Sequence, residues 1–304
     1  MQIVSLFSGA GGLDLGLIKA GHQIIWANDI DLDSCETYKL NIGKHIICKD
    51  ISAVELSEIP NSDVIVGGFP CQGFSLANML RAADDDRNKL YKQLYRVIKG
   101  KKPKYFIAEN VRGILSLDNG NIIKQIVIDF AKAGYRVKYK SFNTADFGVP
   151  QTRIRVIIIG TRKDLPEHKD FQFPEPTHSK MNWVSIGEAL NKIPEPEETD
   201  SEIKNHIYSK YKVTNRNFTG HRKTDPDKPS PTILARGNGK GGVCAIQHPK
   251  NHRRMSVRES ALIQTFPMNF EFVGSMGSMY RQVGNAVPVL FGQHLGNKLK
   301  EIEP

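Results

Sequence analysis

The segment Gly67-Gly68-Phe69-Pro70-Cys71-Gln72-Gly73-Phe74-Ser75 carries a cysteine on a loop whose path is restricted by glycine and proline. It follows a β-branched run, Asp63–Gly67, that reads as a strand. In an open α/β sheet, ligands bind beyond the carboxyl ends of the strands, so a thiol placed there is available for nucleophilic chemistry. The alternative is a small, inert packing cysteine. Glu109 and Asn110 end another apolar run, Phe106-Ile107-Ala108. Arg153 and Arg155 immediately precede the run Val156–Gly160 and, two residues apart, face the same way in an extended chain. Each feature alone suits a surface ion pair or a solvated face. Together they supply a nucleophile, an acid and two cations to one crevice.

A second constellation lies near the start of the chain. The run Ile3–Phe7 leads into Ser8-Gly9-Ala10-Gly11-Gly12, which opens a helical pattern. Glycine permits a sharp turn and close approach of a ligand, and a helix N-terminus favours negative charge. Asp29 falls at the next strand end, about 20 residues on, where a carboxylate can accept hydrogen bonds from ribose hydroxyls. Asp50 follows the third run, placed to read an adenine amino group. The full GxGxxG is missing, because Asp14 stands at the third glycine position, and no Gly-Lys-Ser/Thr follows, which excludes a P-loop. An adenosine-containing cofactor is favoured over a plain strand–helix connection. A nicotinamide enzyme is weakened by the incomplete fingerprint.

The elements that hold these residues alternate regularly. Strands are expected at Ile3–Phe7, Gln23–Asn28, His45–Lys49, Asp63–Gly67, Tyr105–Asn110, Val137–Asn143 and Val156–Gly160. Helices are expected at Leu13–Ala20, Asp33–Asn41, Lys89–Lys99 and Ile122–Ala133. This pattern implies βαβ units in a doubly wound, mostly parallel α/β sheet covered on both faces. Beyond residue 162 the alternation stops. Pro166, Pro174, Pro176, Pro194 and Pro196 mark a linker-like stretch, and a Gly-, Asn- and Pro-rich segment suited to loops and short strands follows. Further helices are expected at Val257–Gln264 and near Leu290–Ile302.

The chain has 304 residues, 42 Lys and Arg against 32 Asp and Glu, and four cysteines without CxxC spacing. That length supports one large domain, or one with a smaller insert, and a core that needs neither disulfides nor structural metal. No aliphatic run approaches the ~20 residues that span a bilayer, and no secretory signal pattern opens the chain, so a soluble cytoplasmic protein is expected. Residues 201–260 contain 13 Lys and Arg and four acids, +9 of the formal +10. Such a segment is the footprint of a polyanion-binding surface or, alternatively, a solvated lysine-rich face.

In order along the chain, these segments resemble the bacterial DNA (cytosine-5) methyltransferases of type II restriction–modification systems. Ser5–Gly12 is similar to the family's cofactor motif, Pro70-Cys71-Gln72 to its nucleophile motif and Glu109-Asn110-Val111 to its acid motif. Gln151-Thr152-Arg153-Ile154-Arg155 is similar to its arginine motif. Arg254–Glu259 with Gln264-Thr265-Phe266-Pro267 resembles the motif after the target-recognition region, and Gly284-Asn285-Ala286-Val287-Pro288 the last motif. Phe69 and Asn88 depart from the usual proline and glycine without removing a reactive group.

The resemblance implies a Rossmann-like, S-adenosylmethionine-dependent methyltransferase fold over residues 1–180 and 275–304, with a small loop- and strand-rich target-recognition domain inserted at 181–274. It implies attack by Cys71 on cytosine C6, with Glu109 at N3 and the amino group, Arg155 at O2, and Arg153 ordering Glu109 and the loop. S-adenosylmethionine would be held by Phe7, Gly9, Ala10, Gly11, Gly12, Asp29, Ile30, Asp50, Ile51, Pro70, Leu90, Asn285 and Ala286. No metal is required. Duplex DNA would be contacted by Gln72, Ser75, Arg87, Asn215, Arg216, Arg222, Arg236, Lys240 and Arg254. A monomer associated with the prokaryotic nucleoid is expected, and so is a restriction endonuclease acting on the same site. Methylation of RNA cytosine and a catalytically silent DNA-binding homologue are the alternatives.

Overall fold

The structure, a computed structural model, describes residues 1–69, 89–196, 203–210, 221–235, 245–250 and 253–303. Its centre is a seven-stranded sheet in the order β3-β2-β1-β4-β5-β8-β6. The strands are β1 (Gln2–Leu6), β2 (Gln23–Asp29), β3 (Ile46–Cys48), β4 (Val64–Gly67), β5 (Tyr105–Val111), β6 (Tyr135–Asn143) and β8 (Ile154–Arg162). The two-residue strand β7 (Gln151–Thr152) lies outside this sheet.

Side-chain alternation divides the core in two. Ile3, Val64, Val66, Ile107, Ile157 and Ile159 face one cluster, completed by Leu17 of α1 (Gly12–Lys19), Tyr38 of α2 (Leu32–Asn41) and Leu295 of α8 (Val289–Glu301). Val4, Ile65, Phe106, Ala108, Val156 and Ile158 face the other. That cluster is completed by Leu94 and Ile98 of α3 (Lys89–Lys101) and by Ile126 and Phe130 of α4 (Asn121–Lys132). The central strands are therefore apolar on both sides because helices cover both. The expected doubly wound sheet is present, and the seven strands lie where the sequence places them.

β8 is the exception to parallel order, pairing antiparallel with both β5 and β6. Only residues 144–153 separate β6 from β8, and they hold a short 3-10 turn at Thr144–Phe147 and β7, too little for a parallel crossover. The reversal brings the beginning of β8, not its end, to the carboxyl end of β5, where Val111 pairs with Arg155.

A third cluster joins Ala10 to Ile186 and Leu190 of α5 (Ile186–Leu190), to Ile233 and Ile246, to Val257 and Ile263 of α6 (Val257–Ile263), to Phe266, Phe270 and Phe272, and to Tyr280 and Val283 of α7 (Met276–Asn285). α5 and α7 are helices the sequence reading did not expect. α5 hides in the proline-punctuated stretch and is only five residues long. α7 is amphipathic, but Gly277 and Gly284 weaken its helical signal. The remaining strands among the described residues are two-residue pairings: β9 (His221–Arg222) with β11 (Ala245–Ile246), and β10 (Ser230–Pro231) with β7.

Candidate active site

The turn after β1 takes a left-handed backbone at Phe7, Gly9 and Gly11, with φ of 54°, 55° and 88°, which the glycines accept freely and Phe7 adopts under strain. Ser8 N–H donates to Asn28 O at 2.9 Å, and Gly9 N–H donates to Asp29 Oδ2 at 2.7 Å, so the turn is pinned to the end of β2. Asp31 N–H donates to the other oxygen of Asp29 at 2.9 Å. Burial raises the Asp29 carboxyl above its usual range, and these backbone bonds oppose the rise.

The glycines have different uses. A Cβ on Gly9 would meet nothing within 4 Å among the described residues, so this side of the turn is open to a ligand. A Cβ on Gly12 would lie 2.4 Å from Val287 O, so Gly12 is required by the chain returning from α7. Ala10 is buried in the third cluster. Asp14, the residue that breaks the glycine fingerprint, is buried beneath the turn and accepts from Ser5 Oγ at 2.7 Å and Tyr38 Oη at 2.8 Å. Burial pushes its carboxyl up to about 6 against those hydrogen bonds. The sequence showed Asp14 only as a missing glycine.

The remaining expected cofactor residues have varied settings. Ile30 follows β2 and is 69% exposed, a large apolar side chain beside Asp29. Ile51 is buried, while Asp50 is exposed and uses Oδ1 to accept from both Ser52 N–H and Ser52 Oγ at 2.8 Å. Leu90 lies in the first turn of α3, half-buried. Asn285 ends α7 exposed, followed by buried Ala286. A glycine turn with an open face, a carboxylate at the next strand end and an exposed aliphatic residue fit an adenosine-containing cofactor.

At the end of β5, Glu109 and Arg155 are both buried, and Arg155 Nε lies 2.7 Å from Glu109 Oε1 as an ion pair. Arg155 Nη1 donates to Ile154 O at 2.8 Å. Burial lowers the Arg155 guanidinium from its ordinary range, and Glu109 opposes this. Asn110 Nδ2 donates to Phe69 O at 3.0 Å, tying the residue before Pro70 to β5. A Cβ on Gly68 would lie 3.1 Å from Glu109 Oε2, so this glycine gives room beside the carboxylate. Pro70, Cys71, Gln72, Ser75 and Arg87 lie outside the described residues.

Arg153 is fixed by the backbone. Its Nη1 donates to Ile233 O and its Nη2 to Gly284 O, both at 2.9 Å. Burial lowers its guanidinium well below the ordinary range. The cause lies in the path of the chain: β7 pairs with β10, so Arg153, just before β8, faces the loops packed there.

On the basic segment the structure also revises the reading. Arg254 is only 3% exposed, so the expected DNA contact by its side chain is not available on the surface. Arg258 is fully buried and donates to Lys204 O, Pro267 O and Phe270 O. Arg253 forms paired bonds to Glu259 at 2.8 and 2.7 Å and a third to Glu195 at 2.8 Å. Three of the 13 basic residues thus build the segment's interior. Asn215, Arg216, Arg236 and Lys240 lie outside the described residues, as does the Arg222 side chain.

A model of the C-5 cytosine-specific DNA methylases matches residues 1–301. The Type II methyltransferase M.NgoFVII of Neisseria gonorrhoeae is 39% identical over 94% of this chain and 83% of its own length. M.MthTI of Methanothermobacter thermautotrophicus is 38% identical over 99% and 97%. Among solved structures, the Dnmt2 methyltransferase of S. pombe has a TM-score of 0.75 at 21% identity, covering 99% of this chain and 98% of its own. Entamoeba histolytica EhMeth has 0.76 at 20%, covering 100% and 99%. These structures share the fold of a methyltransferase. The chain belongs to the C-5 cytosine-specific DNA methylase family.

Proposed function

We propose that this protein transfers a methyl group from S-adenosylmethionine to C5 of a cytosine flipped out of duplex DNA, in a fixed sequence context, through a transient bond between Cys71 and C6. The observation that carries this reading is the buried Glu109–Arg155 pair at the end of β5, with Gly68 packed closely against the carboxylate and Asn110 tethering the chain that enters Pro70-Cys71. Cytosine C5 is a weak nucleophile. Addition of the Cys71 thiolate to C6 moves an electron pair toward C5, dividing one difficult step into easier ones. Glu109, sharing a proton with N3 and accepting from the amino group, draws charge from the ring. Arg155 donates to O2, where negative charge grows, and fixed donors aimed at developing charge contribute strongly. Once C5 carries the methyl, transfer of its proton to a base lets the C6–S bond break and returns the thiolate.

Phe7, Gly9, Asp29, Ile30, Asp50, Ile51, Leu90 and Asn285 would hold S-adenosylmethionine, which when bound supplies an electrophilic methyl on a sulfonium. A catalytic unit of residues 1–180 and 275–304, acting as a monomer, would carry residues 181–274 as the DNA-reading unit. Within that unit Asn215, Arg216, Arg222 and Arg236 would reach base edges and Lys240 a phosphate. A restriction endonuclease of the same specificity would be the cellular partner, as the names of the Type II relatives suggest.

Sequencing 5-methylcytosine in DNA from cells expressing the protein tests the reading. One recurring sequence context, lost in Cys71→Ala while DNA binding persists, is the expected result. Unmethylated DNA together with labelled structured RNA would replace it with the RNA alternative.

A further inference from the structure

Gln151, Arg153 and Gln264 are buried together where three segments distant in the chain meet. Gln151 Nε2 donates to Gln264 Oε1 at 2.8 Å, and Gln264 Nε2 donates onward to Val283 O at 2.7 Å and Ala286 O at 3.1 Å. In the other direction Gln151 Oε1 accepts the Ile233 N–H at 2.9 Å, while Arg153 holds Ile233 O and Gly284 O. Both backbone polar groups of Ile233 are thus gripped by side chains just before β8. The same side chains, with Gln264, hold the carbonyls of Val283, Gly284 and Ala286. The two gripped segments also touch: a Cβ on Gly284 would lie 2.5 Å from Ala235 N. Thr232 Oγ1 donates to Thr152 O at 2.8 Å, continuing the attachment along the strand.

The positions of the two segments give this joint a consequence. Ile233 lies three residues before Arg236, at the entry to the glycine-rich stretch of the basic segment. Gly284 and Ala286 bracket Asn285, an exposed residue that on the methyltransferase reading would contact the cofactor. Buried polar groups with fixed partners have few alternative arrangements, because any group left unsatisfied incurs its full desolvation penalty. A shift of either segment must therefore move the other or break buried bonds.

We propose that Gln151, Arg153 and Gln264 are positioning residues that couple the DNA-reading segment to the cofactor-closing turn, so that cofactor and target duplex each tighten the binding of the other. The proposal rests on the methyltransferase reading. Coupling of this kind is reciprocal and typically changes affinity ~5–150-fold.

Calorimetric titration of the full-length protein with S-adenosylhomocysteine, alone and with a duplex bearing the sequence found by methylation sequencing, tests it. The wild type is expected to bind the probe at least about fivefold more tightly with duplex present. Gln264→Leu and Gln151→Leu should bring that ratio close to one, and Arg153→Lys should keep part of it while Arg153→Met does not. An unchanged ratio in variants that merely bind both ligands more weakly would overturn the proposal, leaving a structural role. So would a wild-type ratio of one.

Hydrogen exchange of the unmodified protein provides a readout that survives unfolding of the variants. Adding S-adenosylhomocysteine without DNA should slow exchange at residues 230–235 as well as 283–287. Protection confined to 283–287 would contradict the coupling. A wild type that binds neither probe nor duplex would refute the underlying functional reading instead.

Discussion

Among the described residues, buried arginines occur in two regions, and they carry charge for different ends. At the carboxyl end of the sheet, Arg155 faces Glu109 and has no second carboxylate among its described partners. In the basic segment, Arg253 is enclosed by Glu259 and Glu195, and Arg258 spends its donors on backbone carbonyls. Burial lowers the Arg155 guanidinium overall. For Arg253, burial pulls the same way, but its bonds to Glu259 and Glu195 outweigh it and raise the group. The first arrangement sets one guanidinium against one carboxylate at the end of β5, where the proposed chemistry would use both. The second ties guanidinium groups into a scaffold, Arg253 through two carboxylates and Arg258 through backbone carbonyls. Charge counted along a sequence does not distinguish them; the partners do.

Substitution at both places should separate the roles. Arg155→Met is expected to lower methyl transfer ~10²–10³-fold, the loss typical of removing a donor aimed at developing charge. Steady-state kinetics should show the fall in kcat, whereas a variant with full turnover would remove Arg155 from the chemistry. Arg253→Met leaves Glu259, fully buried, without its paired donor, a change worth roughly 3–5 kcal/mol of stability. Urea unfolding should register that loss. Lys240→Ala should do the reverse, preserving stability and lessening the salt dependence of DNA binding by about one phosphate contact. Equal salt slopes for Lys240→Ala and wild type would mean that Lys240 does not touch phosphate.

Asp14 gives a smaller and pH-dependent contrast. Its folded-state pKa of about 6 lies above the ordinary 3.8, so the folded protein holds a proton that the unfolded chain has released across that window. Its contribution to stability is full below about pH 4, is lost as pH rises through 6 and then stays constant. The displacement corresponds to roughly 3 kcal/mol. Relative to wild type, Asp14→Asn should therefore gain stability between pH 4 and 7, as read from paired thermal melts. A difference that is flat with pH would mean that Asp14 titrates in its ordinary range.

The sheet was legible because β-branched runs buried on both faces leave few alternatives, and the motifs sit at the ends of those runs. Arg153 and Arg155 show the limit. Their spacing identified them, but a residue that precedes a strand reaches the carboxyl edge of a parallel sheet only if its own strand is reversed, which strand β8 is. Nothing in the residue types announces that reversal. Its signal is the short connection from β6, too brief for a helical crossover. Asp14 and Gln264 were hidden for another reason: a buried polar residue is recognised by its partners, and Tyr38 and Gln151 lie 24 and 113 positions away. Arg253 and Arg258 were read as surface charge because Glu195 and the carbonyls of 204, 267 and 270 are remote or carry no side-chain signature, and nothing in the spacing of Arg253 and Glu259 shows that the pair is enclosed.

The central claim is that Cys71 bonds to C6 of the target cytosine during turnover. Duplex DNA with 5-fluorocytosine at the target position tests this directly, because fluorine at C5 cannot leave as the proton does and the adduct persists. Mass spectrometry of the denatured protein after incubation with S-adenosylmethionine should find the nucleotide on the peptide containing Cys71, formed more slowly by Glu109→Gln. An enzyme that methylates ordinary duplex yet yields no adduct, or one attached elsewhere, would contradict the account.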